Sequence, residues 1–208
     1  MPIELFAYNT PNGRKISVAL EEMGLPYAVK IVDITKGQQH DPAFLKISPN
    51  NKIPAIIDSE GPDGAPISVF ESGAILIYLG EKTGRFWPQD PRAHVSMLEW
   101  LMFQMGGFGP MPGQVHHFLQ VESESDRRYG LERFSKETHR LYRVMDTRLS
   151  DHEYFAGAIS IADFAILGWA WRHERHKVDL NAYPNVKRWY DTMMARPGVK
   201  RGFAVQLS

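Results

Sequence analysis

Two neighbouring stretches decide how this chain folds: P-N-N-K-I-P-A-I-I-D (residues 49–58) and F-E-S-G-A-I-L-I-Y-L-G (residues 70–80). Their pattern predicts a strand entered through Ile53-Pro54, a hairpin with a polar turn, and a helix that begins at Glu71-Ser72. This order can place a peptide-binding backbone edge, an anion-binding helix start and one carboxylate around a single pocket.

The preceding residues complete a small α/β domain. Residues 3–8 and 27–34 are rich in β-branched and aromatic side chains and predict two strands. Between them, Thr10 is placed to cap a helix that Gly24 closes. With a short helical turn before the hairpin, residues 1–83 have the order β-α-β-α-β-β-α, which matches a thioredoxin-like domain.

The second half of the chain predicts only helices. Residues 84–91 predict a linker, and residues 92–208 predict an all-helical domain, so the fold class is α/β plus all-α. Helix-spaced apolar residues recur in four segments: Ala93–Met105, Tyr129–Leu149, Ile161–Arg172 and Val186–Ala195. The sequence S-I-A-D (160–163) before the third of these segments is a helix-capping pattern.

The composition of the 208-residue chain limits what the protein can bind. Basic and acidic residues number 24 each, so no net charge attracts nucleic acid or an anionic membrane. No apolar run reaches the roughly 20 residues that span a bilayer. The first residues predict a strand and lack the layout of a signal peptide. We therefore expect a cytoplasmic protein with neither nucleic-acid nor membrane partners.

Cysteine is absent, and this restricts the chemistry. A structural disulfide, a zinc-thiolate site and a protein thiol nucleophile are excluded, so any reacting sulfur arrives with a ligand. Two histidine pairs, His116-His117 and His173-x-x-His176, suggest a metal site. However, no carboxylate is placed to complete one, and adjacent histidines point in different directions on a helix. We expect no metal.

The stretch A-Y-N-T-P-N-G-R-K (7–15) can hold a thiolate. Thr10 and Asn12 lie at the start of the first predicted helix, where the dipole, the Thr10 hydroxyl and N–H donors of Asn12 all favour a negative sulfur. Tyr8, at the end of the first strand, offers an alternative: a phenol that contacts the sulfur, or an aromatic ring that only packs at the sheet edge.

The helix start at Glu71-Ser72 suits a zwitterionic ligand. Ser72, as the predicted N-cap, presents its hydroxyl and nearby N–H groups to a carboxylate, and Glu71 can hold an ammonium group. These two charges match a γ-glutamyl group, although simple helix capping explains the same pair. Gln39 and Lys52 can bind a second carboxylate or can remain solvated surface residues.

Taken with S-I-A-D, these motifs resemble the cytosolic glutathione transferases along nearly the whole chain. T-P-N-G-R-K, P-N-N-K-I-P and a G-G-x-G-P-M stretch further resemble the Nu class, the disulfide-reductase type related to the yeast nitrogen-regulating prion protein. The resemblance implies that Ile53-Pro54 is a cis bond whose exposed Ile53 backbone pairs with glutathione. It also implies that Thr10 and Asn12 contact the sulfur, and that Arg133 reaches the glutathione of a neighbouring subunit in a homodimer.

The segment Q-M-G-G-F-G-P-M-P-G-Q (104–114) interrupts the first helix of the second domain. Its four glycines and two prolines disfavour a straight helix. It is either a turn between helices or, as the resemblance favours, the wall of a second-substrate pocket. We expect Phe108 and Met111 to line that pocket together with Tyr8.

Three functions remain possible. The first is a glutathione-dependent disulfide oxidoreductase with weak transferase and peroxidase activity, acting on a small disulfide through bound glutathione or glutathione disulfide. The second is a conventional transferase that conjugates glutathione to electrophiles and uses Tyr8. The third is a non-catalytic glutathione-binding regulatory protein, which the retention of the predicted site residues disfavours.

Overall fold

The computed structural model describes residues 3–208 and divides the chain into two compact units. The first unit comprises Met1–Trp87 together with Ala195–Ser208, and the second comprises Pro88–Met194. Both predicted halves are therefore present. The predicted helical domain began at residue 92 and ran to the end of the chain, whereas residues 195–208 pack with the first unit.

The first unit is built on a four-stranded mixed sheet with strand order β2-β1-β3-β4. The strands are β1 (Ile3–Ala7), β2 (Tyr27–Ile31), β3 (Ala55–Asp58) and β4 (Ile67–Phe70). β1 pairs in parallel with β2 and antiparallel with β3, which pairs antiparallel with β4. Alternate residues of β1 are buried, as expected for a strand that turns one face to a core.

Three helices accompany this sheet: α1 (Pro11–Met23), α2 (Pro42–Leu45) and α3 (Ser72–Thr83). The order β-α-β-α-β-β-α confirms the predicted thioredoxin-like domain. Gly24 ends α1 in the left-handed region at a φ of 68°, which glycine adopts at little cost. β2 ends three residues earlier than predicted, because Asp33 accepts a hydrogen bond from the N–H of Thr35 and begins a tight helical turn there.

The last helix, α9 (Pro197–Ala204), is held on α1 by polar contacts that the sequence did not reveal. Arg14 donates to the carbonyl oxygens of Gly202 and Val205 at 3.1 and 2.9 Å. The buried carboxylate of Glu22 accepts from Arg196 at 2.6 Å and from the N–H of Val199 at 3.1 Å. These bonds explain why the C-terminal segment belongs to the first unit.

The second unit consists of five α-helices: α4 (Pro91–Phe103), α5 (Pro110–Phe118), α6 (Glu124–Arg148), α7 (Ile161–Ala170) and α8 (Pro184–Ala195). Within it the described residues form only isolated β-bridges and no strand. α7 is buried along nearly its whole length. A capping box formed by Ser160 and Asp163 begins this helix, which confirms the predicted pattern.

The predicted interruption after α4 has a defined geometry. Gln104–Phe108 form a π-helical turn, and α5 then begins at Pro110, where the missing N–H of proline costs nothing. Across residues 3–208, no helix is long and apolar enough to cross a membrane.

Candidate functional site

The start of α1 is organised around Thr10. Its backbone is extended, at a φ of −125° and a ψ of 160°, and its Oγ1 accepts a hydrogen bond from the N–H of Gly13 at 3.1 Å. Since the oxygen is the acceptor in this bond, the hydroxyl retains a hydrogen that can be donated to a ligand. Thr10 is therefore the N-cap that the sequence predicted, in a geometry that allows a second hydrogen bond.

Gly13 fits where a larger residue would not. A Cβ atom built on Gly13 would clash with the carbonyl oxygen of Tyr8, a main-chain atom that cannot easily move. That carbonyl also accepts from the N–H of Thr10 at 2.7 Å. The glycine thus lets the first turn of α1 approach the end of β1 closely, and this contact fixes where the helix dipole is directed.

The electrostatics of this helix start favour an anion. Asn12 is half-buried at the second position of α1, and the first turn contains no acidic residue. A thiolate placed here would meet the positive end of the dipole without a competing carboxylate in that turn. The side chain of Tyr8 is half-buried directly before this turn. A contact between the Tyr8 hydroxyl and a bound sulfur remains a prediction.

The start of α3 differs by one residue from the prediction. Glu71, and not Ser72, is the N-cap; Ser72 is the first helical residue and is only 3% exposed. Glu71 has a φ of 69°, a costly conformation for a residue other than glycine, and such strain is found often at ligand sites. Its side chain does not cap the helix but accepts from Nδ2 of Asn50 at 3.1 Å. The Glu71 carboxylate is exposed.

Lys15 is the residue of this region that sequence reasoning missed. It lies on α1, is 1% exposed, and donates from Nζ to Oγ of Ser72 at 3.1 Å. Burial lowers the pKa of the Lys15 ammonium to about 7, and the nearby charge of Glu71 acts in the opposite direction. The only signal in the sequence was a lysine on a helix whose neighbours Ile16 and Ala19 are apolar.

The cis bond at Ile53-Pro54 is confirmed. The side chain of Ile53 packs against the buried residues Val32, Phe44 and Ala55. Among residues 3–208, no hydrogen bond is formed by the N–H or the carbonyl of Ile53. The preceding turn is fixed by Ser48, whose hydroxyl donates to the carbonyl of Lys52 at 2.8 Å.

The two residues predicted to bind the second carboxylate are in different environments. Lys52 is exposed and half-buried Gln39 lies near the end of a short helical turn. The Oε1 atom of Gln39 is buried and has no hydrogen-bond partner among the described residues. An unsatisfied buried amide oxygen is unusual, so a donor from a ligand or a water molecule is expected beside it.

The second unit contains a cleft of about 620 Å³ between α5 and α6. Predicted residues Met111 and Arg133 both line it. The other charged residues of the lining, all on α6, are the basic Lys136, Arg140 and Arg143 and the acidic Glu132 and Glu137. Arg133 is exposed, and its guanidinium lies 5.9 Å from the centre of the Phe134 ring.

Phe108 is placed differently from Met111. It is fully buried, and its ring lies against those of Phe103 and Tyr142, with centroid distances of 6.4 and 5.0 Å. In this position Phe108 supports the helices of the second unit from inside and has no exposed surface. A joint pocket of Tyr8, Phe108 and Met111 remains a prediction.

Within residues 3–208, no group of three or more His, Cys, Asp or Glu side chains that could hold a metal ion comes together around the histidine pairs. His116 and His176 stack with ring centroids 4.8 Å apart. Burial lowers the pKa of both, that of His116 to about 4. Two neutral, stacked imidazoles beside Trp169 and Tyr142 are best described as part of the core.

The family of this chain follows from its sequence matches as well as its fold. Residues 10–82 match the model of the glutathione S-transferase N-terminal domain, and residues 110–197 match that of the C-terminal domain. These matches cover more than half of the chain. The protein belongs to the glutathione S-transferase family, as the sequence motifs predicted.

Its relatives include proteins that bind or act with glutathione. The chain is 47% identical to the disulfide-bond oxidoreductase YfcG of Escherichia coli, over 94% of this chain and 91% of the relative. A Burkholderia graminis glutathione transferase with two glutathione molecules bound per subunit has a TM-score of 0.91 at 42% identity, covering 97% and 87% of the two chains. A Pseudomonas putida glutathione transferase with one glutathione disulfide bound has a TM-score of 0.91 at 41% identity, covering 98% and 91%.

Proposed function

We propose that this protein is a glutathione-dependent disulfide reductase in which the thiolate of bound glutathione is the nucleophile. The observation that carries the proposal is the start of α1: a threonine hydroxyl that can still donate, a helix dipole and no acidic side chain in the first turn. In a chain without cysteine, this arrangement stabilises a thiolate supplied by a ligand. The name of the Escherichia coli relative supports the same activity.

The reaction needs two thiol–disulfide exchanges. The glutathione thiolate attacks one sulfur of the substrate disulfide, a mixed disulfide forms, and the other sulfur leaves as a thiolate that takes a proton from water. A second glutathione thiolate then attacks the glutathione sulfur of the mixed disulfide. This releases the second substrate thiol and leaves glutathione disulfide. Two glutathione molecules are oxidised and one disulfide is reduced.

The remaining residues are assigned to parts of the ligand. Glu71 holds the γ-glutamyl ammonium group, and Ser72 with the first N–H groups of α3 holds the α-carboxylate. The unbonded backbone of Ile53, with the Pro54 bond that follows it, pairs with the peptide of glutathione. Gln39 and Lys52 bind the glycine carboxylate. The buried oxygen of Gln39 requires a donor, which the peptide N–H of the ligand can supply.

The assembly belongs to the same proposal. We assign Arg133 to the glutathione of a neighbouring subunit in a homodimer, and Met111 to the wall of the disulfide pocket. Both residues line the cleft of the second unit, where four basic side chains outnumber the acidic side chains of Glu132 and Glu137, an excess of positive charge that suits an anionic ligand such as glutathione. Glutathione, as the thiol or the disulfide, is the only cofactor we propose.

The test is glutathione-dependent reduction of hydroxyethyl disulfide. The glutathione disulfide that forms is measured through coupling to glutathione reductase, in wild type, Thr10→Val and Thr10→Ser. We expect Thr10→Val to lose about 10- to 100-fold in kcat/KM, the scale of one hydrogen bond to a charged atom. Thr10→Ser keeps the hydroxyl and is expected to stay within about 3-fold. Thr192→Val, on the exposed side of α8, is the control for a threonine-to-valine change.

Two results would contradict the proposal. Wild type that binds glutathione but does not accelerate the reduction would exclude a disulfide reductase. Equal activities of Thr10→Val and wild type would exclude the start of α1 as the thiolate site.

A further inference from the structure

Lys15 is a buried cation that the proposed reaction does not use. Its Nζ lies 3.1 Å from Oγ of Ser72, and both side chains are almost fully buried. This bond joins α1, which is proposed to hold the sulfur, to α3, which is proposed to hold the γ-glutamyl group. The ammonium form of Lys15 can only donate, so whenever Lys15 is charged the Ser72 oxygen accepts this bond and the Ser72 hydroxyl is oriented by it.

A buried lysine in this position is costly without a negative partner. The negative charge of Glu71 favours the charged form of Lys15, whereas burial favours the neutral form. With a pKa of about 7, Lys15 is mostly neutral at pH 8. A ligand carboxylate beside Ser72 would add a second negative charge close to Nζ and shift the balance toward the ammonium group.

We infer that Lys15 is a positioning residue of the proposed glutathione site, which orients Ser72 and takes up a proton when the α-carboxylate of the γ-glutamyl group binds. The inference rests on the proposed function for the identity of the ligand. It adds that Lys15 becomes positively charged during binding, and that this charge balances the negative charge of the ligand carboxylate. Affinity for a γ-glutamyl ligand should then weaken as the pH rises above 7.

The other charged groups on the elements around Lys15 are engaged elsewhere or exposed. Several of them belong to four ion pairs, Glu4–Lys30, Lys82–Asp58, Arg196–Glu22 and Arg201–Glu21. Arg14 is directed to the carbonyls of α9. Glu81 and Lys200 are exposed. The negative charge of Glu71 raises the pKa of Lys15 in the free protein, against the effect of burial.

The experiment measures proton uptake when S-methylglutathione binds, because this ligand keeps both carboxylates and has no thiol to titrate. Calorimetric titrations at pH 8 in two buffers of different ionisation enthalpy give the number of protons taken up. Wild type, Lys15→Met and Lys15→Arg are compared, with Lys200→Met as an exposed control. The Lys15→Met variant reports the contribution of the ligand amine and of all other groups.

We expect wild type to take up about 0.5 to 1 proton more than Lys15→Met, because a group with a pKa near 7 is about nine-tenths neutral at pH 8. Lys15→Arg stays charged at this pH and should lack the same uptake, which keeps the test valid if Lys15→Met does not fold. Lys200→Met should match wild type.

The outcomes separate the inference from the proposed function. Equal proton uptake in wild type and in the folded Lys15 variants would overturn the role of Lys15, while binding itself would still support the glutathione site. If S-methylglutathione failed to bind wild type at millimolar concentration, the proposed function would fall and the inference with it.

Discussion

The indole nitrogen of Trp189 lies 2.9 Å from Oδ1 of Asp163, and both side chains are buried inside the helical unit. The other oxygen, Oδ2, accepts from the N–H and the hydroxyl of Ser160 at 2.9 and 3.2 Å. One carboxylate thus caps α7 and ties it to α8. The S-I-A-D motif therefore has a structural role in the second unit, where it links α7 to α8.

We predict that Asp163→Ala destabilises the protein by about 2–4 kcal/mol, because the buried donors of Trp189, Ser160 and Phe155, four N–H or O–H groups together, lose their acceptor. Trp189→Phe removes only one of these bonds and should cost less. Urea unfolding monitored by circular dichroism measures the difference. Asp191→Ala breaks an exposed pair with Lys187 and should change stability by less than about 0.5 kcal/mol. If Asp163→Ala lowered the free energy of unfolding as little as Asp191→Ala, the hydrogen bonds of Asp163 would not contribute to stability.

Gly202 provides the second prediction, which concerns how α9 packs on α1. A Cβ atom at this position would lie 2.6 Å from Cα of Val18, and the main chain there cannot move without separating the helices. Gly202→Ala should therefore destabilise the first unit by about 1–3 kcal/mol. The control is Gly106→Ala, where a Cβ atom meets nothing within 4 Å. Thermal unfolding of both variants tests this, and equal melting temperatures would refute the close packing.

The contacts of Gly202 also illustrate what the sequence could not reveal. The Thr10 cap, the Gly24 helix end and the S-I-A-D box depend on residues within a few positions of each other, and all were predicted from local patterns. The packing of residues 195–208 with the first unit was not predicted, because it depends on contacts of Arg14 and Glu22 with residues about 180 positions away. Apolar periodicity predicts a helix but does not identify its neighbour.

The proposed glutathione site shows the same difference between local patterns, which were predicted, and long-range contacts, which were not. The cis bond at Ile53-Pro54 was predicted from a family pattern. The N-cap of α3 was placed one residue late, at Ser72, because serine is a common capping residue, whereas the φ of 69° at Glu71 arises from the tertiary structure. The importance of Lys15 was missed for a similar reason: its burial and its bond to Ser72 join residues 57 positions apart.

Tyr8→Phe distinguishes the two enzymatic functions. If the thiolate is stabilised at Thr10 and Asn12, removing the phenol should leave glutathione-dependent disulfide reduction within about 2-fold of wild type. A phenol that donates to the sulfur would instead cost about 10- to 100-fold, as one bond to a charged atom does. Disulfide reduction and conjugation to a halogenated nitrobenzene are both measured. A large loss in conjugation, with conjugation the faster wild-type reaction, would favour the conventional transferase.

The burial of Lys15 also predicts how stability depends on pH without any ligand. The pKa of Lys15 is about 7 in the folded protein and near 10.5 in the unfolded chain, so between these values the unfolded chain binds more protons. The contribution of Lys15 to the free energy of unfolding must then rise with pH across this window, by up to about 1.4 kcal/mol per pH unit, and be constant below it. Urea unfolding at pH 7.5, 8.5 and 9.5 measures this slope in wild type and in Lys15→Met, with Lys200→Met as the exposed control. We expect wild type to gain stability relative to Lys15→Met as the pH rises, while Lys200→Met follows wild type. Parallel pH profiles of wild type and Lys15→Met would mean that Lys15 remains charged in the folded protein.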